Sequence, residues 1–495
     1  MREGAIHRLG LWTEEQAKQG AELRKRIEGE NLRLIRVGWV DTHGHTRVKA
    51  VPVAVFLNTL ESGYNTNVAT FTLDASGGRV FRSFVRGGGM DLDEMTGSPN
   101  LTIVPDPGTF RILPWAPGTG WILCDEYFTD GRPFHFSSRR ILRDQVARLA
   151  EQGKKLRVGL ESEWYLRKVA ADGYTDEDTA QQGVKARPIA TVPVEPGYSY
   201  HSETNMDMMQ PVFDALADAY GALGMPLRSI ENEFAPGQLE TTFGAQSAMR
   251  TADDYVLFRT ATRQVCRRLG YFASFMCKPA FPGHYTNGWH LHQSLVDSTS
   301  GENLCMPAQE GEVLSSVGKQ WLAGLLDHAA QSAVFATPTI NGYRRFRPNS
   351  LAPDRAGWGI DHRGAMVRVL GGPGDPATRY ENRLGEPAAN PYLFIASQIA
   401  AGLDGVKRGL QPPPPDDAPY EAERRRLPAT LDAALELLDG SGLYREQFGD
   451  RYIDYFIALK RSELARYRAE LEATGQKEDP DMVADWEQKE YFDFF

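Results

Sequence analysis

Apolar and polar positions alternate along the chain with two different periods. Residues 11–30, "LWTEEQAKQGAELRKRIEGE", are rich in helix formers and charge and predict an exposed helix. The next stretch, "LRLIRVGWVDTHGHTRVKAVPV", predicts two strands around a polar turn at Thr42 to His45. Strand-like runs continue through "LTIVPDP" and "GWILCDEYF", and Gly87, Gly88 and Gly89 mark a loop that needs backbone freedom. The character changes at "HFSSRRILRDQVARLAEQGKK". There Ser137 or Ser138 caps a helix whose apolar face carries Ile141, Leu142, Val146 and Leu149. This places a boundary near residue 135 and predicts three parts: an N-terminal helical extension over 1–30, a small domain over 31–135 and a large one over 136–495. In the large part strands alternate with long helices such as "DDYVLFRTATRQVCRRLG" and "VGKQWLAGLLDHAAQSAVFA". "QPPPPDDAP" reads as a stiff surface excursion, because consecutive prolines favour the extended polyproline form. A last helical region begins at Leu431, and no internal repeat is visible.

Composition narrows the class. A chain of 495 residues, 41% hydrophobic and 24% charged, has room for more than one domain and a large core. Its formal charge of -10 argues against a nucleic-acid backbone as partner, so local clusters of Arg need a local explanation. Four scattered cysteines without metal-ligand spacing suit a reducing compartment. The N-terminal stretch "MREGAIHRLGLWTEEQ" has no apolar core of signal-peptide length and no apolar run approaches a membrane span, and the expectation is a cytoplasmic protein without a membrane partner.

The chemistry lies in short acidic and histidine-bearing segments with strand-like flanks. "VGLESEWYL" puts Glu161 and Glu163 on one face of a strand, and "GWHLHQSL" does the same for His290 and His292. "ENEFAPGQLETTFG" sets Glu233 and Glu240 on either side of Pro236 and Gly237, whose turn lets the two acids face one space from adjoining strands. "TRYENRLG" puts Arg379, Glu381 and Arg383 on a common face. Singly each is weak, since an E-x-E on a strand usually marks its solvent side. Together, five carboxylates and a histidine can bind two hard divalent cations. Mg2+ or Mn2+ fits better than Zn2+, because oxygen dominates and no cysteine belongs to the set. "NGYRRFRP" and "DHRGAMVRVL" add Arg344, Arg345, Arg347, Arg363 and Arg368. Metals beside guanidinium forks suit a nucleoside triphosphate and transfer of its terminal phosphoryl group. Arg344 and Arg347 also fit ordinary surface salt bridges.

Taken in order, "DTHGHTRVKAVP", "LESEWYL", "ENEFAPGQLE", "KPAFPGHYTNGWHLHQSL", "NGYRRFRPNSLAP", "DHRGAMVRVL" and "TRYENRLGEPAANPYLFIASQIAAGLDGV" resemble the glutamine synthetase family over about residues 37 to 410. The resemblance implies an α+β fold. It consists of an N-terminal β-grasp domain followed by a catalytic domain built on a curved antiparallel sheet with flanking helices. It further implies a homo-oligomer of stacked rings, a dodecamer, with each active site between neighbouring subunits. One metal would be held by Glu163, Glu233 and Glu240, and the second by Glu161, His290 and Glu381. His292 and Ser294 would lie toward ATP, and Arg363, Arg368 and Arg379 would clamp its phosphates. Arg345 and Arg383 would hold the carboxylates of the acid substrate. Arg363, Arg383 and Arg345 would then be the catalytic cations. ATP would phosphorylate the γ-carboxylate of glutamate, and an amine would attack the acyl phosphate.

The chain departs from the ammonia-using pattern at two places. The family's flap carries a glutamate before an Ala-Pro pair, where this chain has Leu351, an apolar wall in place of a negative charge. The Asp-Gly-Ser-Ser aspartate of the ammonium pocket has only Asp74 as a counterpart, in "TFTLDASGG". Tyr285 and Thr286 stand where an Asn-Gly pair usually meets the amino end of glutamate. Trp289, facing away from His290, reads as core. The expectation is an ATP- and Mg2+-dependent ligase joining glutamate to an amine larger than ammonia, with an arylamine such as aniline preferred (a γ-glutamylanilide synthetase type of activity). The competing readings are an ammonia-using glutamine synthetase, a polyamine ligase and a non-catalytic oligomeric relative.

Overall fold

The computed structural model describes residues 4–170, 175–176 and 179–495, so Met1 to Glu3 of the N-terminal extension lie outside the described residues. The extension contains a helix, Glu14–Gly29, started by a capping box between Thr13 and Gln16. The exposed helix expected there is half buried: Gly20, Leu23 and Ile27 share one buried face, and Leu23 and Ile27 join the core.

A first sheet follows, built from β1 (Leu34–Val40), β2 (Thr46–Pro52), β3 (Tyr64–Asn67), β4 (Asn100–Pro105), β5 (Arg111–Ile112) and β6 (Thr119–Phe128). Its order is β2-β1-β6-β4-β3, with β5 on β6; β1 and β6 run parallel and the other pairs antiparallel. The polar turn between β1 and β2 is buried. Asp41 Oδ1 accepts the N–H groups of His43 and His45 within the turn, each at 3.0 Å. Arg259 donates to the Gly44 carbonyl at 2.6 Å, and Asn390 donates to the carbonyls of Asp41 and Thr42. These bonds satisfy the backbone of a turn that would otherwise be costly to bury, and they fasten the first sheet to the rest of the chain.

The second sheet holds β7 (Lys154–Val169), β8 (Thr191–Pro193), β9 (Leu227–Asn232), β10 (Gln238–Ser247), β11 (Tyr271–Ser274), β12 (Trp289–Asp297), β13 (Trp358–Ile360), β14 (Val367–Leu370) and β15 (Arg379–Gly385). Its order is β13-β14-β15-β12-β7-β10-β9, with β8 and β11 on β7; only β13 and β14 are parallel. Helices Ala248–Arg268 and Pro391–Arg408 lie among the most buried elements. The second has local reasons to start and stop where it does: Asn390 caps it through Tyr392 N–H, Pro391 takes the first turn, and Gly409 closes it at φ 64°. It packs against helix Ser316–Asp327 so closely that a Cβ on Gly324 would stand 2.1 Å from the Ala401 carbonyl. The stretch "VGKQWLAGLLDHAAQSAVFA" is two helices, Ser316–Asp327 and Ala329–Ala336. They part at His328, whose ring meets Asp404 at 2.7 Å.

Candidate active site

Strand register builds the site. On β7, Leu160, Ser162 and Trp164 turn into the core while Glu161 and Glu163 share the opposite face. Antiparallel pairing sets His290 of β12 opposite Glu161, and Glu240 of β10 opposite Glu163. On the other side of β10, Glu240 faces Glu231 of β9. The hairpin therefore differs from the sequence expectation. β9 ends at Asn232 and β10 begins at Gln238, which leaves Glu233 in the connecting turn. Glu231, not Glu233, is the cross-strand neighbour of Glu240, and Glu233 reaches the same cavity from beyond the strand end. At the far side of β12, His292 pairs with Glu381 of β15, which pairs in turn with Arg368 of β14.

The side chains converge accordingly. Glu161 meets His290 Nδ1 at 2.7 Å and His292 Nε2 at 2.9 Å. Glu381 accepts from Arg368 at 2.9 Å and from Arg383. Ligand atoms of Glu161, His290 and Glu381 all lie within 4.8 Å of one another, as do those of Glu163, Glu240 and His290. Glu233 groups instead with His201 and Glu231. Oxygen dominates each group and imidazole supplies the remainder, which suits a hard divalent cation.

Electrostatics divides the acids into two sets. Burial pushes Glu240 up to about 11, helped by repulsion from Glu161, Glu163 and Glu233. Burial and the charges of Glu163 and Glu231 push Glu233 up to about 8. Glu163 is raised by burial against the pull of His290 and the Gly288 N–H. Burial also works on Glu161, but His290 and His292 hold it far below the usual carboxylate range. Arg383, with His290 and His292, lowers Glu381 against burial. On the β9–β10 side, acids crowd together with too little positive charge.

Glu161, Glu163, Glu231, Glu233 and Glu240 line a cavity of about 340 Å³ together with Arg345, Arg363, Arg368 and Arg383. Arg383 Nε is buried without a hydrogen-bond partner, a free donor for an incoming acceptor. Arg345 is fixed by donating to the carbonyls of Leu384 and Gly385 at 3.0 and 2.6 Å. Tyr285, Thr286 and Leu351 line the same cavity. One hydroxyl, that of Tyr165, bonds both the N–H and the carbonyl of Tyr285 at 2.9 Å. Leu351 sits at φ 60° and is half-exposed, and its carbonyl accepts from Arg383 at 3.4 Å. His292, Ser294 and Arg379 lie beyond the cavity lining at the β12–β15 edge. There Arg379 Nε meets His292 Nδ1 at 3.2 Å and Ser294 Oγ donates to the Thr378 carbonyl at 2.9 Å.

Several other residues fall elsewhere. Arg344 is buried against Glu487 and Arg347 reaches Asp481, so both are structural ion pairs. Trp289 is fully buried and stacks on Tyr255 with ring centroids 4.0 Å apart. Asp74 is buried outside the cavity. Its Oδ1 accepts from Ser76 and Gly78, and its Oδ2 from Arg466 at 2.8 Å. Sequence reasoning missed Glu231, Tyr200, His201 and Phe234, all of which line the cavity. The Glu231-Asn232-Glu233 spacing was a usable signal for the first. The other three sit in loops with no periodicity to read.

The comparisons agree with this geometry. Residues 135–477 match the glutamine synthetase catalytic domain. The chain is 42% identical over 494 residues to the gamma-glutamylanilide synthase of Acinetobacter sp, covering 98% of each chain. It is 32% identical to the glutamine synthetase of Thermus thermophilus, covering 90% of this chain and 96% of the relative. The solved structure "Apo GmaS without ligand" superposes with a TM-score of 0.75 at 26% identity, over 94% of this chain and 98% of that one. With its acid-lined antiparallel sheet and its match over most of its length, the chain belongs to the glutamine synthetase family.

Proposed function

We propose that the chain ligates the γ-carboxylate of L-glutamate to an amine larger than ammonia, with ATP as co-substrate and an arylamine such as aniline preferred. The observation that carries this reading is the mixed lining of one cavity, which combines carboxylates, guanidinium groups and the half-exposed Leu351 and Tyr285. Similarity to a γ-glutamylanilide synthase supports the choice of amine. The acid that would cage ammonium is missing at Leu351, and Asp74, the other candidate, is already engaged by Arg466.

Glu163, Glu233 and Glu240 would hold one Mg2+ (or Mn2+), and Glu161, His290 and Glu381 the other. Bound there, the cations would neutralise the anionic crowding of phosphates and carboxylate. Arg363, Arg368 and Arg379 orient the ATP phosphates, with His292 and Ser294 on the nucleotide side. Arg345 and Arg383 grip the acid substrate, and the free Nε of Arg383 supplies one arm of that grip. A weakly basic arylamine arrives neutral and needs no carboxylate to remove a first proton. The leaving oxygen carries phosphate, which turns a poor acceptor into a reactive one. No described helix is long and apolar enough to cross a membrane; the proposed setting is cytoplasmic, with subunits assembled as stacked rings. The chain divides into three parts at residues 30 and 135.

Phosphate release measured with ATP, Mg2+ and glutamate against aniline, isopropylamine, putrescine and ammonium tests the reading. Aniline should give the highest kcat/KM, with isopropylamine ahead of putrescine and ammonium. Equal or better use of ammonium by the wild type would overturn it.

A further inference from the structure

Single exposed apolar residues are ordinary, but a cluster of them around one cavity marks a binding surface. Tyr200, Phe234, Tyr285 and Leu351 are all at least 38% exposed, and all four line the acid-lined cavity. Two of them are organised. The rings of Tyr200 and Phe234 are parallel to within 6°, with centroids 4.5 Å apart. His201 stacks on Tyr200 at 3.8 Å, and two rings cannot share one face at such distances, so Tyr200 is the middle of a three-ring stack. The outer face of Phe234 and the edge of Tyr200 remain for a ligand.

The chain spends conformational energy to hold the stack. Tyr198 and His201, on either side of Tyr200, both adopt left-handed backbone (φ 54° and 55°), which non-glycine residues rarely do. Buried Glu195 ties this loop to the hairpin by accepting from Asn205 at 2.8 Å and from the Gly237 N–H. His201 N–H donates to the Asn232 carbonyl at 3.1 Å, and Tyr198 N–H to that of Phe234. His201 Nε2 also lies 3.2 Å from Glu231, which joins the stack to the acid row.

We propose that the Tyr200–Phe234 stack is the face on which the ring of an aromatic amine lies, and that it sets the amine preference of the site. This rests on the amine-ligase reading given above. The stack stands beside the acid row, with His201 3.2 Å from Glu231, while His292 and Ser294 of the nucleotide side lie outside the lining of this cavity, which favours the amine over the adenine base as its occupant. An offset or edge-on contact with these rings selects a flat π-system and gives a branched alkylamine of similar size less.

The test uses the full-length protein with Mg2+, ATP and glutamate, measuring kcat and KM for aniline and isopropylamine and KM for ATP. Phe234→Leu should raise the aniline KM about three- to tenfold and the isopropylamine KM less. Phe234→Tyr, which keeps the ring, should restore the wild-type ratio, as should Tyr200→Phe. Equal rises for both amines, or a rise in the ATP KM with the aniline KM unmoved, would overturn the assignment. Wild type that uses aniline while Phe234→Leu keeps its KM overturns the stack's role alone. Wild type that uses only ammonium overturns the amine-ligase reading and the stack's role together.

Discussion

Arg139 and the acids around it form a buried charge cluster, and so do the acids of the second sheet, but the two are balanced differently. Arg139 is 2% exposed and donates to Asp106, Asp125 and Asp253 at 2.6–2.9 Å. Arg143 adds a second cation to Asp106 and Asp125. Burial opposes the charge on Arg139, yet its acids push its pKa well up, while Asp106 is held low against its own burial. On the sheet, Glu163, Glu233 and Glu240 are all raised. A cluster that supplies its own counter-charges is scaffold, and here it joins the first sheet to helices Ser138–Glu151 and Ala248–Arg268. A cluster short of positive charge is arranged for a cation from outside.

The largest effects should separate the two clusters cleanly. Glu163→Ala or Glu240→Ala should abolish ligation while leaving the fold and assembly intact, because each removes repulsion along with a cation ligand. Arg139→Met should instead destabilise the fold by about 3–5 kcal/mol, since three acids then lose a shared buried partner. Denaturant unfolding and size-exclusion profiles check both. Wild-type-like turnover in either Glu variant, or a Glu variant that unfolds as readily as Arg139→Met, would break the distinction.

Arg383 stands on the border between the clusters' two logics, paired to Glu381 through Nη1 but with Nε free. Arg383→Lys keeps the charge and loses the planar fork. kcat/KM for glutamate should fall at least about thirtyfold, which corresponds to about 2 kcal/mol. An unchanged value would make Arg383 a counter-ion for Glu381 and nothing more.

The sequence showed the strand-borne residues of the site better than the loop-borne ones, for a physical reason. Glu161, Glu163, His290, Glu381 and Arg383 sit on strands, where a period of two fixes which residues share a face. Their convergence needed only the register of β7, β12 and β15. Glu233 was harder, because the length of a Pro-Gly turn decides whether an acid lies in the ladder or beyond it. Tyr200 and Phe234 were not legible, since a loop brings them together and no period links residues 34 apart. The buried β1–β2 turn shows the same limit, as its partners Arg259 and Asn390 come from distant helices.

Leu351→Glu asks whether the acid-rich cavity tolerates one more acid. The position is half-exposed, so much of the penalty is lost to solvent, and about 1 kcal/mol against a bound aromatic ring is expected. kcat/KM for aniline should drop roughly fivefold, and ammonium use should gain less, because one carboxylate does not rebuild a cation cage. A selective gain for ammonium that exceeds the loss for aniline would show that residue 351 alone sets the preference.

The measurement that compares the clusters most directly is the dependence of stability on pH without metal. In the unfolded chain Glu233 and Glu240 titrate near 4.5, whereas in the fold they are raised to about 8 and about 11. Between those values the folded state binds more protons than the unfolded one, so stability falls as pH rises. Glu161 and Glu381, held low, act with the opposite sign but only below the ordinary carboxylate range, and Asp106 of the Arg139 cluster behaves the same way. From about pH 5.5 to about pH 8 the sheet acids act together with buried Glu126 and Glu386, each raised to about 7, so the share of the sheet acids is read from the Glu240→Gln difference. The melting temperature in chelator should decline across this window, and saturating Mg2+ should flatten the decline by favouring the ionised acids. Glu240→Gln should flatten it in part without metal, whereas Asp106→Asn should leave the slope in this window unchanged. A flat or rising profile in chelator would mean that the sheet acids are as well compensated as those around Arg139.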